Sequence, residues 1–255
     1  MTRSPEDRAR SIFGARAAHY ATSASHTDPE VLAWLVQRVR PEPHWRVLDV
    51  ATGAGHSAFA LAPRVAHVTA VDLTSEMLAE ARALQERNGL ANVSFQLADV
   101  HRLPFADGGF DAVTSRRAPH HFSDLNLALK EMRRVLRPGG RLVIDDRSVP
   151  EDDEVDEIMN RLDVLHDASH VRQYRPSEWD ARLRAAGFRI ESVEPFARLR
   201  PLSQLTKGVE PERVAEIERI LAGLDERQRA VMQVTIRDGE LQHLHYFVML
   251  AAVRG

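Results

Sequence analysis

Short apolar runs alternate with stretches of helical spacing from about residue 45 to residue 147. The apolar runs predict five buried strands, at residues 46–50, 68–72, 93–97, 110–114 and 141–145. Between them the pattern predicts helices over residues 56–62, 75–88 and 124–136, and a turn over residues 137–140. Thr74 or Ser75 caps the second helix, and Gly89 ends it. Such alternation is typical of a parallel sheet built from βαβ units.

Two flanking regions add further elements to this core. An amphipathic stretch over residues 6–20 and a helix over residues 28–39, ended by Pro41, come before it. The acidic run at residues 151–154 predicts a helix start that faces water. The pattern then predicts a helix over residues 177–186, a strand over 188–196, a helix over 211–224 and a strand over 243–252. The last strand fits an antiparallel strand added to the sheet.

The composition excludes several classes of protein. The 255 residues carry a formal net charge of -3 and no cysteine, so we expect one α/β domain without disulfides, Cys-ligated zinc or a thiol nucleophile. The near-neutral charge indicates no nucleic-acid partner, and the 32 Arg residues, scattered among 37 acidic ones, predict a solvated surface. The longest apolar run, residues 246–253, is too short to cross a membrane, and residues 1–10 lack an apolar leader segment. We therefore expect a cytoplasmic protein without membrane insertion.

The residues that follow the predicted strands carry the candidate chemistry, because ligands of such sheets bind at the carboxyl ends of the strands. Gly53 and Gly55 follow the first strand and let the backbone approach a ligand closely. Asp72 ends the second strand, 17 residues beyond Gly55, where an acid can accept hydrogen bonds from two ribose hydroxyls. Asp99 follows the third strand and can accept from an adenine amino group. Leu73, Met77 and Val100 can form apolar walls for the base.

Asp49 separates two possible cofactors. Gly53, Gly55 and Ala58 satisfy the G-x-G-x-x-G/A pattern of dinucleotide sites, which is weak evidence alone. An acid four residues before Gly53 would repel a pyrophosphate but suits the ammonium of an amino-acid moiety. A ligand with adenine, ribose and a cationic amino-acid tail is S-adenosylmethionine.

The stretch after the fourth strand lies at the mouth of the same crevice. It contains Arg116, His120 and His121. One of the two histidines can act as a base or as a hydrogen-bond partner of a methyl acceptor, and neighbouring residues usually point in different directions. We prefer His121. The acids at 145 and 146 have no metal-ligand spacing with the nearby histidines, so no metal is predicted.

Taken together, these motifs resemble class I S-adenosylmethionine-dependent methyltransferases, and most of all the quinone-ring (ubiquinone/menaquinone) C-methyltransferase group and its uncharacterised bacterial relatives. The resemblance rests on residues 47–55, Asp72, residues 98–105, residues 110–113 and residues 134–140, in that order. It implies a Rossmann-like, mostly parallel seven-stranded sheet of order 3-2-1-4-5-7-6, with the last strand antiparallel and helices on both faces. The chain departs from the family at Ala51, where Gly is more frequent; we expect a small effect on cofactor fit.

The resemblance also implies a division of the single domain. Residues 1–40 would form an N-terminal lid, with Phe13 or Tyr20 closing over the cofactor; residues 41–147 would bind the cofactor, and residues 148–255 would form the acceptor side. In the latter part His170, Arg172 and Tyr174 are candidate substrate contacts. The full set of expected cofactor contacts is Tyr20, Asp49, Ala51, Thr52, Gly53, Gly55, Asp72, Leu73, Met77, Asp99, Val100 and Arg116.

The expected function is methyl transfer from S-adenosylmethionine to the carbon or oxygen of a small-molecule acceptor, with His121 or His120 as the catalytic group. Three alternatives stay open at this point: a cofactor-binding regulator, a non-methylating enzyme that uses the sulfonium, and an NAD-dependent oxidoreductase. A homodimer is also possible.

Overall fold

One twisted sheet with helices on both faces forms the core of the protein. The computed structural model describes residues 5–23, 25–237 and 239–255, apart from the side chains of Pro5, His19 and Tyr20. The strands are β1 (Arg46–Val50), β2 (His67–Asp72), β3 (Val93–Leu97), β4 (Phe110–Arg116), β5 (Leu136–Ser148), β6 (Phe188–Pro201), β7 (Thr235–Arg237) and β8 (Glu240–Arg254). The helices are α1 (Pro5–Thr22), α2 (Pro29–Val39), α3 (His56–Leu61), α4 (Ser75–Asn88), α5 (Leu125–Val135), α6 (Asp153–His166), α7 (Pro176–Ala185), α8 (Leu202–Thr206), α9 (Pro211–Ala222) and α10 (Glu226–Met232).

The strand order is β3-β2-β1-β4-β5-β8-β6, with short β7 paired to β8. Strands β1 to β5 pair in parallel, and β8 is antiparallel to both β5 and β6. The predicted order of seven strands and the antiparallel last strand are therefore confirmed. Strand β7 was not expected; it forms a hairpin with the start of β8.

Alternating residues of the central strands bury the two faces of the sheet. On β1, Val47 packs with α2 and α3, whereas Leu48 packs with α5 and α7. The side chains of Val47 and Leu48 are both fully buried. This two-sided burial explains why the core strands are continuous apolar runs, as parallel sheets require.

The predicted turn at residues 137–140 is wrong, because these residues belong to β5. The pairing of β4 with β5 shifts between Phe110 and Ala112, so the extra residues form a bulge. Gly139 has φ +73 in this bulge, and a Cβ on Gly140 would approach the carbonyl oxygen of Arg137 to 2.9 Å. The two glycines therefore allow the backbone to pass through this bulge and continue as a strand.

Helices α6, α8, α9 and α10 cover the end of the sheet beyond β5. They share a third apolar cluster that includes Leu162, Leu205 and Leu221. Asp152 caps α6 by accepting from the backbone of Val155 at 3.0 Å. The predicted acidic helix start that faces water is confirmed, because Glu151, Asp153 and Glu154 are exposed. Asp152 and Glu154 also pair with Arg227 of α10. Among the described residues, no helix is long and apolar enough to cross a membrane.

Candidate active site

A cavity opens at the carboxyl ends of β1 to β4, beneath α1. It holds about 1050 Å³ of space, including solvent at its mouth, which is at the upper end of the range for cofactor pockets. Eleven of the predicted site residues line it: Asp49, Ala51, Thr52, Gly53, Asp72, Leu73, Met77, Asp99, Val100, Arg116 and His121. The parallel topology accounts for this gathering, since the loops after neighbouring strands meet at one edge of the sheet.

Asp49 is a buried carboxylate at the end of β1. Its two oxygens accept from the hydroxyls of Thr114, at 2.6 Å, and Thr52, at 2.5 Å. Burial raises the pKa of Asp49, although these two hydrogen bonds oppose the rise. No Arg or Lys donates a hydrogen bond to this carboxylate in the described part of the chain, so a ligand cation would find an anion with lone pairs to spare.

Asp72, at the end of β2, orders the loop after β1 as well as facing the cavity. Its Oδ2 accepts from the backbone N–H of Gly53 at 2.8 Å, and its Oδ1 accepts from the backbone N–H of Thr74 at 2.9 Å. Burial raises the pKa of Asp72, and these backbone donors oppose the rise. Each carboxylate oxygen has a second lone pair, so Asp72 can also accept from ligand hydroxyls.

Arg116 closes the floor of the cavity at the end of β4. Its Nε donates to Ser57 Oγ at 3.0 Å, and its Nη2 donates to the carbonyl of His26. Its Nη1 is buried without a hydrogen-bond partner among the described residues and lies 3.8 Å from Asp145 Oδ2. A buried guanidinium N–H without a hydrogen bond is costly, and an anionic ligand group that reaches Arg116 would satisfy it.

His120 and His121 follow Arg116 and lie on different sides of the cavity wall. His121 lines the cavity, and its ring meets the ring of Phe13 edge-on at 4.8 Å. His120 is turned away, and its Nδ1 lies 2.6 Å from Asp146 Oδ1. Burial lowers the pKa of both histidines and raises the pKa of Asp146 to about 7.

Comparisons with known proteins agree with this geometry. Residues 41–186, more than half of the chain, match the family model described as a methyltransferase domain. The chain belongs to the class I S-adenosylmethionine-dependent methyltransferases. The donor of this methyltransferase is therefore S-adenosylmethionine.

Two relatives place the methyltransferase within the family. It is 37% identical over 184 residues to an uncharacterised methyltransferase of Bacillus subtilis, YcgJ, covering 72% of this chain and 73% of YcgJ. The crystal structure of YcgJ superposes with a TM-score of 0.83 at 31% identity, over 88% of this chain and 97% of that chain. The ubiquinone/menaquinone C-methyltransferase UbiE of Bartonella tribocorum is 32% identical over 176 residues, covering 68% of this chain and 66% of UbiE.

Several predicted contacts of the methyltransferase are not brought to the cavity. Gly55, at φ +89, faces Phe59 instead: an added Cβ would approach the Phe59 ring to 2.6 Å. His170 is buried behind the wall, with its Nε2 3.1 Å from Asn160 Oδ1. Tyr20 lies in α1, but its side chain is outside the described residues.

The predicted substrate contacts Arg172 and Tyr174 also lie away from the cavity, each for a clear physical reason. Arg172 donates to Asp156 at 2.9 Å and to Glu178 at 3.2 Å, so its charge is used to hold α6 against α7. Tyr174 is buried in the core, where its ring packs against Trp179. We therefore do not propose either as an acceptor contact.

The structure adds cavity residues that the sequence did not single out. Arg117 adopts a left-handed backbone, at φ 53, and its Nε donates to Asp145 Oδ2 at 2.9 Å. His26, His56 and Glu6 of α1 also line the cavity, beside Phe13, which was expected as a lid residue. A signal existed for Arg117, which directly follows Arg116. None existed for His26, because it lies in a loop with no strand before it. Among the described residues, no group of three or more His, Asp or Glu is arranged to hold a metal ion.

Proposed function

We propose that this methyltransferase transfers the methyl group of S-adenosylmethionine to a small-molecule acceptor, at an oxygen or an activated carbon, with His121 as the base. The observation that carries the proposal is a cavity lined both by two buried carboxylates, Asp49 and Asp72, and by His121. A donor held by the carboxylates would lie in the same space as an acceptor next to the histidine.

The residues present fit the donor. Asp49 would bind its ammonium group and Asp72 its ribose hydroxyls, while Arg116 Nη1, buried without a hydrogen-bond partner among the described residues, would bind its carboxylate. When bound, the donor supplies a methyl group on a positively charged sulfur. Leu73, Met77, Val100 and Asp99 line the part of the cavity between β2 and β3 that we assign to the adenine base.

The chain's own groups would then position the acceptor and exclude water. Phe13 of α1 lies edge-on to His121, which supports the proposal that residues 1–40 act as a lid. Residues 41–147 would bind the donor, and residues 148–255 would form the acceptor side. The expected homodimer remains a prediction.

Calorimetric titration tests the donor side. We expect the protein to bind S-adenosylmethionine and S-adenosylhomocysteine, and not NAD. Asp72→Asn should raise the Kd for both by about tenfold or more, because charged hydrogen bonds are worth roughly 1.5–3 kcal/mol. Asp111→Asn is the matched control: Asp111 pairs with Arg137 at the opposite end of β4 and should leave binding unchanged. Binding of NAD alone would refute the assignment.

Untargeted profiling with an isotopically labelled donor methyl group tests the acceptor side. Purified protein is incubated with a small-molecule extract and labelled S-adenosylmethionine, beside the Asp72→Asn and Asp111→Asn proteins. A labelled product formed by wild type and Asp111→Asn, and strongly reduced with Asp72→Asn, would identify the acceptor. Label appearing only in macromolecules would contradict a small-molecule acceptor.

A further inference from the structure

His121 is connected to a buried acid through a serine. Its Nδ1 lies 3.1 Å from Ser169 Oγ, and Ser169 Oγ donates to Asp167 Oδ1 at 2.6 Å. The backbone N–H of Ser169 donates to the same oxygen at 2.8 Å. Ser169 is 4% exposed and Asp167 is 8% exposed, so water competes little with these hydrogen bonds.

The segment that carries Ser169 is fixed against the loop after β4. The backbone N–H groups of Val171 and Arg172 donate to the carbonyl of His120, at 2.9 and 3.1 Å. These two bonds place Ser169 next to His121, although 48 positions separate them in the chain. The contact is therefore part of the fold and not a chance approach of two flexible side chains.

The direction of the hydrogen bonds follows from the number of protons. Burial acts to raise the pKa of Asp167, but the pKa is lowered overall because Ser169 donates two hydrogen bonds to the charged carboxylate, so this acid is ionised and can only accept. The serine hydroxyl has one proton, which goes to Asp167, so its oxygen must accept from His121. The proton of neutral His121 is therefore on Nδ1, and its lone pair is on Nε2. In the described part of the chain, Nε2 has no hydrogen-bond partner, and the residue lines the cavity.

We propose that Ser169 and Asp167 are positioning residues that hold His121 in the Nδ1–H tautomer, so that Nε2 takes a proton from the methyl acceptor. This inference rests on the proposed function and names the class of acceptor: a hydroxyl compound, such as a phenol, or an acidic carbon. The acceptor's O–H or C–H bond breaks and its proton bonds to Nε2. The electron pair left on the acceptor forms the bond to the methyl carbon, and the pair of the broken C–S bond stays on sulfur. The imidazolium then loses its proton to solvent.

His120 does not share this arrangement. Its Nδ1 lies 2.6 Å from Asp146 Oδ1, without a serine between them, and it is not among the residues that line the cavity. Its ring stands 4.0 Å from the ring of His121. His120 therefore supports the wall behind His121, and the two histidines are not interchangeable.

The tautomer is measured directly by two-bond 1H–15N correlation spectra of protein labelled with 15N-histidine, at about pH 7.5, with His121→Gln used for assignment. We expect wild-type His121 to carry its proton on Nδ1. Ser169→Ala should shift His121 to a mixture or to the Nε2–H tautomer, and Ser169→Thr should restore Nδ1–H. Ser94→Ala is the control. Ser94 Oγ lies 2.8 Å from His67 Nε2 on the exposed edge of the sheet, so this variant removes a comparable serine–histidine contact and should leave the His121 tautomer unchanged.

Two results would overturn the proposal. One is a wild-type His121 with its proton on Nε2, which requires no variant to fold. The other is a Ser169→Ala protein whose His121 signals match those of wild type. Neither measurement uses the donor, so a failure of the proposed function would show separately, as absent S-adenosylmethionine binding in the calorimetric titration.

The acceptor class has its own test in the labelled-methyl profiling. We expect the labelled product to be a methyl ether or a C-methyl compound. Ser169→Ala should lower the kcat for formation of this product about tenfold or more. The KM for S-adenosylmethionine should stay unchanged, because only the base is disturbed. A labelled quaternary ammonium or sulfonium product, which forms without proton loss, would contradict the proposed class.

Discussion

At the scale of single residues, the cavity contains two backbone positions that side chains rarely adopt. Ala51 follows β1 at φ 53, and Arg117 follows β4 at φ 53. Each costs roughly 1–2 kcal/mol for a residue with a Cβ. Both strained residues line the cavity, where the chain must turn sharply to present backbone and side-chain groups to a ligand. The sequence indicated Ala51 as a departure from the family, and the positive φ explains why Gly is the usual residue there.

Ala51→Gly should therefore stabilise the protein. We expect a gain of about 0.5–1 kcal/mol in the free energy of unfolding, since relief of the left-handed strain exceeds the added entropy of the unfolded glycine. Ala60→Gly is the matched control: it lies within α3 and should destabilise by about 1 kcal/mol. Urea denaturation measures both. A loss of stability in Ala51→Gly would show that its backbone is not strained.

The buried carboxylate of Asp49 predicts a pH dependence of donor binding. Burial raises the pKa of Asp49 and that of Asp72, so protonation of either becomes significant at a higher pH than for an exposed acid. The protonated acid cannot attract an ammonium group, so affinity should fall as the pH is lowered below neutral, and at a higher pH than for an exposed acid. The α-amino group of the donor stays charged over this range. Calorimetry should show this fall in wild type and a weak, flatter dependence in Asp49→Asn; equal slopes would contradict the role of Asp49.

At the scale of elements, α1 forms part of the cavity wall. Glu6, Ala9 and Phe13 of α1 line the cavity, and Gly14 packs against Glu76 at the start of α4, with 3.4 Å to an added Cβ. If α1 acts as a lid, S-adenosylhomocysteine should slow tryptic cleavage at Arg8, Arg10 and Arg16. Mass spectrometry of the early fragments measures this, and Asp72→Asn, which binds the ligand weakly, should lose the protection. Equal cleavage rates with and without ligand would mean that α1 does not close.

The core strands and helices could be predicted because the local pattern of apolar and polar residues shows which of their residues are buried. Strand β3 has the predicted bounds, and Gly89 ends α4 in a left-handed conformation at φ 65, as expected. The continuation of β5 beyond Asp145 could not be predicted, because Asp146, Arg147 and Ser148 read as a polar loop. They pair with β8, while Asp146 contacts His120 and Arg147 pairs with Asp163 from elsewhere in the fold. Helices α8 and α10 are too short for their periodicity to be recognised.

Some contacts of the candidate site could likewise be predicted from the sequence, and others could not. The contacts that follow each strand were predictable, since topology alone brings the carboxyl ends of β1 to β4 together. The link from His121 to Ser169 was not, because it joins positions 48 residues apart. Arg172 and Tyr174 were assigned to an acceptor pocket from resemblance, but their partners Asp156 and Trp179 could not be known without the fold.

At the scale of the whole molecule, some of the arginines connect helices, strands and loops to one another. The expectation that nearly all arginines lie at the surface is confirmed, since Arg116 alone among the described arginines is buried. Several of the others also link one element to another. Arg134 donates to the carbonyls of Leu103 and Phe105 as well as to Glu131, and thereby ties α5 to the loop before β4. Arg38 forms a two-pronged contact with Glu194, at 2.6 Å for both bonds, which connects α2 to β6. Guanidinium groups with several fixed donors suit such links between elements.

The buried histidines predict how the stability of the whole molecule depends on pH. His243 of β8 is 2% exposed, its Nε2 has no hydrogen-bond partner in the described part of the chain, and burial lowers its pKa to about 4. In the unfolded chain its pKa is about 6.5. Below that pH the unfolded state binds the proton more tightly, so stability is fully present above about pH 6.5 and is lost as the pH falls toward 4.

His243→Gln should remove this dependence. Urea denaturation of both proteins between about pH 4.5 and 7.5 measures it. Relative to its own value at pH 7.5, wild type should lose about 2–3 kcal/mol more than the variant by pH 4.5, as the shift in pKa requires. Asp146, whose pKa burial raises to about 7, acts with the opposite sign: its contribution is lost as the pH rises. Asp146 is present in both proteins, so its contribution cancels when the stability of the variant is subtracted from that of wild type. Parallel curves would show that His243 is as readily protonated in the folded protein as in the unfolded chain.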